Sequence, residues 1–554
     1  MRTTTRNVLR LGVFTVFTVA IAVWIPKPLP LYYRLAFLAY AWTCYGMLQH
    51  ALVQHSTAND ATPSRWWNVL LIGSFVFILF SRILPFIQYG SAPLGYDTGF
   101  YVEFYRILER MRTIHPAVIT TSHLTYASWF PYILLKLPTF FTMNTLHVLH
   151  QLLTAGALYF FVRSVFRNGS SRAIGAITVF LFASSVNQFA AYWWMFYKQS
   201  MAIPFLLFAL GLLFRRSWLA IPVAAFGAAI HLQSAVPFAI AFALFTLAQF
   251  IRAMWTRRPI DRDAMRIIIG FLVAAVIAIL IKGPRELQFY LEYFLETGGT
   301  LSGVPFWRIE ETKGLFIPQS LFLTNVLYWI PFAYIGVIHL TRWVPQRAHR
   351  TAEFLIAALI TLIALTALPV IYQNRTLILL DFLLIAFAAA PLFALFARHT
   401  PRVIPVLVLA GALATTSLSV FRTQPQVTPA ERRELEQIGT LLRQTGGYAM
   451  SIDAMYSPWV YLFTEYDTIA PGALNWNQWD LTQWDEFWNS DDDTHRYALL
   501  DVYGPVPIYL FIGDRQRTSY AFKRFLEESP AVTPWSPHVW RYDGASESKD
   551  AIEL

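Results

Sequence analysis

The residue best suited to chemistry is an acidic one that follows an apolar run long enough to cross a membrane. Asp97 stands in a segment rich in small and aromatic residues, Gly95 to Arg106. A carboxylate at a membrane surface could accept a proton from an attacking hydroxyl or bind a divalent ion beside a phosphate. Asp97 could equally cap the helix that follows, so both interpretations stay open. Glu103, six residues later, is better explained by a solvated helix face.

Basic side chains between apolar runs form a second set of candidates, because a lipid phosphate at a membrane surface needs cations. Six of them are predicted to face the same side as Asp97: Lys198, Lys282, Arg285, Arg308, Lys313 and Arg375. Arg375 interrupts two apolar runs, and its planar guanidinium could hold two phosphate oxygens. Lys198 lies among aromatic residues, which suits a sugar phosphate and also an interfacial aromatic belt. Each cation could instead only extend towards water from an apolar surface.

Three further polar residues could belong to the same site. His231 stands at a polar break in a long apolar run, where a hydrogen-bonded interfacial histidine is an equal alternative. Glu310 and Glu311 lie in a polar segment with charges of both signs, which also fits a solvated loop. The other histidines form no zinc pattern, and the single cysteine, Cys44, excludes disulfides within the chain. The pattern demands no cofactor, although a carboxylate beside a phosphate would suit Mg²⁺ or Mn²⁺.

The chain that must position these residues is too apolar to be soluble. Of its 554 residues, 56% are hydrophobic and 14% are charged, and the mean hydropathy is +0.45. The net charge of +10 is distributed in short clusters between apolar runs, which is typical of membrane loops and not of nucleic-acid binding. The bilayer is therefore predicted to be the main solvent.

The basic clusters predict the topology, because such loops usually face the cytoplasm. They lie at Arg2 to Arg10, Arg65, Arg163 to Arg172, Arg215 and Arg216, Arg252 to Arg266, Arg342 to Arg350, and Arg398 to Arg402. An even number of crossings must separate consecutive clusters, which predicts about thirteen transmembrane helices, a cytoplasmic N-terminus and an extracytoplasmic C-terminus. Residues 217–251 would make a helix of about 50 Å if continuous. They are therefore predicted to turn between His231 and Pro237.

Three parts follow from this pattern. We expect an N-terminal transmembrane hairpin at 1–65, a transmembrane domain at 66–421 with outer loops 89–144 and 284–319, and an extracytoplasmic domain at 422–554. The last part has a helical pattern at 430–444 and strand-like patterns at 448–453 and 507–512. The predicted fold class is thus a polytopic α-helical membrane protein with a C-terminal α/β domain.

An acidic residue that opens a long first outer loop, followed by small and aromatic residues, resembles the GT-C membrane glycosyltransferases. The resemblance extends from about residue 66 to the end. It implies a GT-C-like fold, Asp97 as an essential carboxylate, and a polyprenyl-phosphate or polyprenyl-diphosphate sugar as donor. It also implies that Glu310 or Glu311 could reach the site from a mobile loop. The acceptor would be a glycan, lipid or protein of the cell envelope.

The chain departs from the oligosaccharyltransferases within that superfamily. Their WWDYG-like motif is not reproduced by the nearest candidate, Gln478-Trp479-Asp480. Transfer of a single sugar from a polyprenyl monophosphate is therefore the simpler expectation. Asp97 would act on the acceptor, while Arg375, with Lys198 or Lys282, would bind the phosphate. A single carboxylate favours direct displacement with inversion.

Four tryptophans of the C-terminal part, Trp476, Trp479, Trp484 and Trp488, could cover the acceptor or fill that domain's core. The main alternative function is a transporter or lipid flippase, in which polar residues would line a path through the membrane. A non-catalytic assembly protein is a third. Convergence of Asp97, Arg375 and His231 on one outer cavity would favour an enzyme, and a continuous midplane pore would favour transport.

Overall fold

The structure is a computed structural model. It describes residues 12–16, 18–19, 31–53, 64–90, 95, 98–99, 101–102, 139–166, 170–194, 196–282, 300–301, 304–305, 328–367, 373–396, 403–452, 456–464, 467–470, 479–516 and 518–544. Six of the sequence-based candidates lie outside these residues, namely Asp97, Arg285, Arg308, Glu310, Glu311 and Lys313. Glu103 and Trp476 lie outside them as well.

Long apolar helices make up most of the described chain. The first nine are α1 (Leu31–Val53), α2 (Ser64–Tyr89), α3 (Thr139–Val165), α4 (Ser171–Ala183), α5 (Val186–Trp193), α6 (Tyr197–Phe214), α7 (Ala220–Ile230), α8 (Leu232–Thr256) and α9 (Arg262–Lys282). The next five are α10 (Ile330–Ile338), α11 (Leu340–Trp343), α12 (His349–Ala367), α13 (Gln373–Phe396) and α14 (Val403–Arg422). Two short strands, β1 (Thr300–Leu301) and β2 (Val304–Pro305), pair antiparallel between α9 and α10.

Eight helices within the described ranges are long and apolar enough to cross a membrane, or nine if the bent pair α4 and α5 forms one span. The eight are α2, α3, α6, α8, α9, α12, α13 and α14. The chain is therefore a multi-pass membrane protein. The total of about thirteen spans and the sidedness of the two ends stay predictions.

Helix α13 lies at the centre of this bundle, since 89% of its apolar window is buried, whereas the windows of α2, α8, α9 and α14 are only 28% buried. The apolar residues that these peripheral helices expose suit contact with lipid. Helix α10 approaches α13 very closely, because a Cβ on Gly336 would collide with the carbonyl oxygen of Phe387. Glycine at this position is thus required by packing.

Two breaks in the helices bear on the site. Helices α4 and α5 meet at a bend of 52°, where the side chain of Ser185 caps α5 by accepting a hydrogen bond from the backbone N–H of Gln188. The second break falls at His231, which ends α7 and begins α8 with an extended backbone. The predicted interruption of the 217–251 run is confirmed there, and Pro237 lies inside α8.

The C-terminal residues form a small α/β domain with a five-stranded sheet in the order β4-β3-β5-β7-β6. Strands β3 (Tyr448–Ser451), β4 (Thr468–Ile469) and β5 (Ile508–Phe511) are parallel, and β7 (Val539–Tyr542) pairs antiparallel with β5 and with β6 (Val532–Ser536). The helices are α15 (Pro429–Thr445), α16 (Ser457–Thr464), α17 (Leu481–Asn489), α18 (Asp493–Asp501) and α19 (Tyr520–Glu528). The helical and strand-like patterns predicted here are confirmed.

The core of this domain decides the role of two tryptophans. Trp479 and Trp484 are each 2% exposed and pack with Phe487, at ring distances of 4.9 and 6.2 Å from it. The idea that these two rings cover an acceptor is therefore wrong, because burial in the core removes their faces from solvent. Trp488 is partly buried against the same core.

The beginning of the first long loop lies between this domain and the membrane helices. The indole N–H of Trp459 in α16 donates a hydrogen bond to the carbonyl oxygen of Gly95 at 3.1 Å. A Cβ on Gly99 would collide with the carbonyl of Pro458, so the loop and α16 are in backbone contact. The C-terminal domain therefore packs on the side of the bundle where this loop begins, called the domain side below.

Candidate functional site

Arg375 and His231, two of the predicted substrate-binding residues, are in direct contact. A guanidinium nitrogen of Arg375, Nη1, lies 2.8 Å from Nε2 of His231, and the same nitrogen donates to the side-chain oxygen of Gln233. The break between α7 and α8 makes this contact possible, because it turns His231 and Gln233 towards the first turn of α13. The structure thus brings together side chains that are 144 residues apart.

The ring of His231 also caps the helix that follows it. The backbone N–H of Ser234 donates to Nδ1 of His231 at 3.2 Å, and the hydroxyl of Ser234 lies 2.8 Å from the same nitrogen. These contacts fix the ring at the start of α8, and its other nitrogen, Nε2, faces Arg375.

Aromatic and amide groups complete the surroundings of Arg375. Its guanidinium carbon lies 5.7 Å from the ring centre of Phe196, which is within the range of a cation–π contact. The side-chain amide of Gln199 donates to the carbonyl oxygen of Arg375 at 3.0 Å. Both residues belong to the turn before α6 or to its first turn, so this aromatic turn positions α13.

The other predicted cations are placed less directly. Lys198 lies in the first turn of α6 beside Gln199 and is half-buried, so it belongs to the same turn that contacts Arg375. Lys282 is the last residue of α9, and its side chain falls outside the described atoms. Arg285, Arg308 and Lys313 lie in a stretch that the structure does not describe.

The residues on either side of Asp97 lie near the same turn. Thr98 is fully buried, and the ring of Tyr101 is 5.5 Å from the ring of Tyr197 at the start of α6. Tyr101, Tyr197 and Ile230, which precedes His231, share one apolar cluster with Trp459. The loop that carries Asp97 and the turn that carries Lys198 therefore meet at the domain side.

An apolar groove begins beside the arginine site and runs into the bundle. The groove has a volume of about 320 Å³, and every residue that lines it is apolar. The lining comes from Leu206 to Leu213, Ala220 to Ala228, Leu232 to Ala239, Ile267 to Ile279, and Phe354. Leu232 stands between His231 and Gln233 in the chain, so one end of the groove adjoins the groups that hold Arg375. Along the eleven residues of α7 the groove is about 16 Å long.

A buried polar tract lies on the other side of α6, and the sequence-based candidates did not include it. Asn144, His147, Gln151 and Thr154 recur along one face of α3 and are all at most 7% exposed. Gln151 and Thr154 line a cavity of about 10 Å³ together with Gln188, Gln199 and Ser200, which has room for about one water. Polar residues spaced by three and four within an apolar run are the signal that predicts such a tract.

Asp381 ends this tract within α13. Its carboxylate accepts hydrogen bonds from the hydroxyl of Ser185 at 2.7 Å and the amide of Gln188 at 2.9 Å. It is fully buried and lies about 12 Å along the helix from Gln373. The carboxylate thus anchors the break between α4 and α5.

One group of side chains in the C-terminal domain has the composition of a metal site. Glu431, Asp514 and His538 place one ligand atom each within 4.8 Å of one another. Glu431 already accepts hydrogen bonds from the Tyr456 hydroxyl and from the backbone N–H of Asp514. These contacts compete with metal binding by that oxygen.

Both nitrogens of His538 also face carboxylates, Glu434 at Nδ1 and Asp514 at Nε2, each at 3.0 Å. Burial by itself would lower the pKa of His538, but its hydrogen bonds to the two carboxylates and their negative charge outweigh burial and raise the pKa. An imidazolium held between two carboxylates explains this geometry without a bound metal ion. A second acidic group, Asp491-Asp492-Asp493, has a capping role, since Asp492 accepts from the N–H of Thr494 at 2.9 Å.

Fold and site together define a polytopic membrane protein with an α/β domain packed on the side where a partly buried arginine–histidine pair adjoins an apolar groove. No known protein family matches the chain, and no curated protein matches it. Among solved structures, it is similar to the mycobacterial arabinofuranosyltransferase AftD with 16% identity and a TM-score of 0.49, covering 88% of this chain and 40% of that one. A mutant form of AftD gives 17% identity, the same TM-score, and coverage of 88% and 42%.

This chain thus spans about two fifths of the length of those structures. With so few identical residues and a TM-score below 0.5, the likeness by itself does not transfer their activity to this chain.

Proposed function

We propose that the chain is a membrane glycosyltransferase that moves a sugar from a polyprenyl-phosphate or polyprenyl-diphosphate donor to an extracytoplasmic acceptor. The observation that carries the proposal is the position of Arg375, held by His231 and Gln233, at the end of a wholly apolar groove. A lipid-linked donor needs a cation for its phosphate beside an apolar path for its tail. This combination favours such a donor over a water-soluble sugar nucleotide.

Arg375 suits the phosphate because it is already oriented. The contacts to His231 and Gln233 fix the guanidinium at Nη1, so less side-chain freedom is lost when a ligand binds. A hydrogen bond between charged partners contributes about 1.5–3 kcal/mol. Lys198, or Lys282 from the end of α9, would add a second positive charge for the departing phosphate.

The groove suits the tail because it lies among helices that face lipid. Helices α8 and α9 line the groove. The same two helices also expose apolar side chains on the surface of the bundle. A prenyl chain could therefore enter sideways from the bilayer while its phosphate stays at the domain side. Because lipid tails are as apolar as the groove, van der Waals packing would hold the prenyl chain there.

The reaction itself needs a base and a stabilised leaving group. The acceptor hydroxyl oxygen forms a bond to the anomeric carbon as the bond from that carbon to the phosphate oxygen breaks, and the acceptor proton passes to Asp97. The polyprenyl phosphate leaves as an anion beside Arg375, and direct displacement inverts the anomeric centre. If Asp97 instead holds a Mg²⁺ or Mn²⁺ ion, that ion would supply positive charge to the departing phosphate. Glu310 or Glu311 would approach from the second loop.

A transporter or flippase is the second candidate, because Asp381 and the polar tract lie inside the membrane bundle. Ionisable residues in that position often mark a transport path. Beyond Asp381, however, the described residues of α13 as far as Phe396 carry no polar side chain. Within its described residues, α13 thus offers no polar path beyond Asp381, which favours an enzyme.

Turnover of labelled polyprenyl-phosphate sugars by the purified chain tests the proposal, with Asp97→Asn as the diagnostic variant. Asparagine keeps a side-chain oxygen that can cap a helix, so a capping role predicts normal turnover. A base role predicts a loss on the order of a hundredfold to ten-thousandfold with donor binding retained. The control is Asp263→Asn, which changes an exposed aspartate paired with Arg216. Normal turnover by Asp97→Asn would remove Asp97 from the mechanism.

A further inference from the structure

Arg82 is a buried cation that the proposed transfer does not use. It lies in α2, seven residues before the helix ends at Tyr89, and it is fully buried. Its Nη1 donates to the hydroxyl of Ser81 at 2.8 Å. Within the part of the chain that the structure describes, its Nε and Nη2 have no hydrogen-bond partner. These two N–H groups form the edge of the guanidinium that binds two oxygens of a carboxylate or phosphate side by side.

The groups around Arg82 do not balance its charge. The rings of Phe189 and Tyr192 lie 5.3 and 5.8 Å away, and the Tyr192 hydroxyl donates to the carbonyl oxygen of Arg82 at 2.8 Å. Across the described ranges, no acidic side chain forms an ion pair with Arg82. Cation–π contacts compensate only part of the solvation free energy that an unpaired charge loses when it is buried.

The side chains packed behind Tyr192 are polar but neutral. The ring of His147 stacks on Tyr192 at 4.4 Å, and its Nε2 donates to the Tyr192 carbonyl oxygen at 2.8 Å. Nδ1 of His147 and Nδ1 of His150 are buried without a partner. The arginine edge and these nitrogens thus lie in one buried region between α2, α3 and α5.

From this geometry we propose that Arg82 binds an oxyanion of the phosphate type through its Nε and Nη2 groups, as a second anion site. A phosphate oxygen pair would satisfy both N–H groups and supply the missing negative charge. The source is either the headgroup of a membrane lipid or free phosphate. The inference holds whether or not the chain transfers a sugar.

This site is distinct from the one at Arg375. Arg82 contacts Tyr192 at the end of α5, whereas Arg375 contacts Phe196 and Gln199 on the following turn. Between them, the ring of Tyr197 lies 5.7 Å from His147 and 5.4 Å from His150. Two anions could therefore occupy the two sides of this aromatic turn at the same time.

The test measures thermal unfolding and phosphate binding of the full chain in an uncharged detergent, after washing to exchange bound lipid. The probes are inorganic phosphate, against potassium chloride of equal ionic strength, and phosphatidic acid, against phosphatidylcholine. The variants are Arg82→Leu, the milder Arg82→Gln, and Arg375→Ala, which removes the other cation. The control is Arg215→Leu, because Arg215 also bonds a serine, at 2.9 Å, and lies 4.3 Å over a phenylalanine ring, but is exposed.

We expect wild type, Arg215→Leu and Arg375→Ala to be stabilised by the probe. Arg82→Leu should bind it at least about tenfold more weakly, as loss of a charge-assisted pair predicts. Without anion, Arg82→Leu should melt no lower than wild type, because an unpaired buried charge has been removed. A response to phosphatidic acid alone identifies a lipid headgroup, and a response to both probes identifies a free oxyanion.

Three results would overturn the proposal. The first is an equal response, or none, in wild type and Arg82→Leu. The second is a lower melting temperature of anion-free Arg82→Leu, which would mean that the chain itself supplies a counter-ion. The third is that neither Arg82 variant folds without anion. Because Arg375→Ala keeps the response if the proposal is right, failure of the donor site and failure of this site give different results.

Discussion

Arg375 shows how a single side chain can be prepared for a ligand by residues far away in the sequence. Its contacts to His231 and Gln233 both involve one guanidinium nitrogen, Nη1. The physical consequence is a guanidinium that is fixed in direction before any phosphate arrives. Arg82 differs, because its described neighbours leave the edge that binds two oxygens unsatisfied.

Arg375→Ala should weaken donor binding roughly tenfold or more, since a charge-assisted bond of about 1.5–3 kcal/mol is lost. Arg375→Lys keeps the charge without the planar fork and should recover only part of the affinity. Binding of a labelled polyprenyl-phosphate sugar to detergent-solubilised protein measures both. Unchanged affinity in folded Arg375→Ala would move the phosphate site to Lys198 or Lys282.

At the scale of elements, the bend between α4 and α5 depends on one carboxylate. Asp381→Ala should leave the Ser185 hydroxyl and the Gln188 amide without their acceptor, which costs about 1–3 kcal/mol for each buried group. Asp381→Asn retains an oxygen that can accept and should be milder. Thermal unfolding in detergent ranks the variants.

The control for this comparison is Asp263→Ala, which breaks only an exposed ion pair with Arg216 and should change stability by about 0–1 kcal/mol. If the melting temperature of Asp381→Ala is no lower than that of Asp381→Asn, the carboxylate does not hold the bend.

In the C-terminal domain, His538 joins α15 to the loop after β5 and to the turn between β6 and β7 through Glu434 and Asp514. Its raised pKa means that the folded state binds the proton more tightly than the unfolded state. The stabilisation is therefore fully present below the unfolded value of about 6.5 and is lost as pH rises through the folded pKa.

The melting temperature of the full wild-type chain should exceed that of His538→Gln by a larger margin at about pH 6 than at about pH 8. His495→Gln provides the comparison, since His495 is an exposed histidine paired with Glu486. A difference between wild type and His538→Gln that grows with pH would contradict the imidazolium and would favour a metal ion at this position.

At the scale of the whole molecule, the domain packs on the side where the loop of Asp97 begins and where Arg375 lies. This arrangement puts the C-terminal domain over the groups that would bind a lipid phosphate. It requires the domain to be extracytoplasmic if the donor sugar is presented outside the cell.

Reporter fusions at residues 1 and 554 should give opposite signals, cytoplasmic at the N-terminus and extracytoplasmic at the C-terminus. The reason is that every basic cluster then falls on the cytoplasmic side. A fusion in the loop after α8, which contains Arg257 and Arg258, is an internal control and should report the cytoplasm. Matching signals from the two ends would mean that one crossing has been miscounted.

The sequence by itself determined that the bilayer is the main solvent, which segments form helices or strands in the C-terminal part, and where one long apolar run is interrupted. Composition requires a bilayer, and the patterns at 430–444, 448–453 and 507–512 correspond to α15, β3 and β5. Polar residues at 231–233 interrupt a run too long for one crossing. These features depend on near neighbours, such as hydrogen bonds within one helix and side-chain alternation along one strand, and near neighbours are visible in a sequence.

Only the tertiary structure decided which residues meet. The contact between Arg375 and His231, the anchoring of the α4–α5 bend by Asp381, and the burial of Arg82 all join segments more than 100 residues apart. Trp479 and Trp484 have the composition of a sugar platform, yet packing places them in a core. Such pairings follow from how many apolar surfaces fit together at once, a sum of small dispersion contacts that no single stretch of residues specifies.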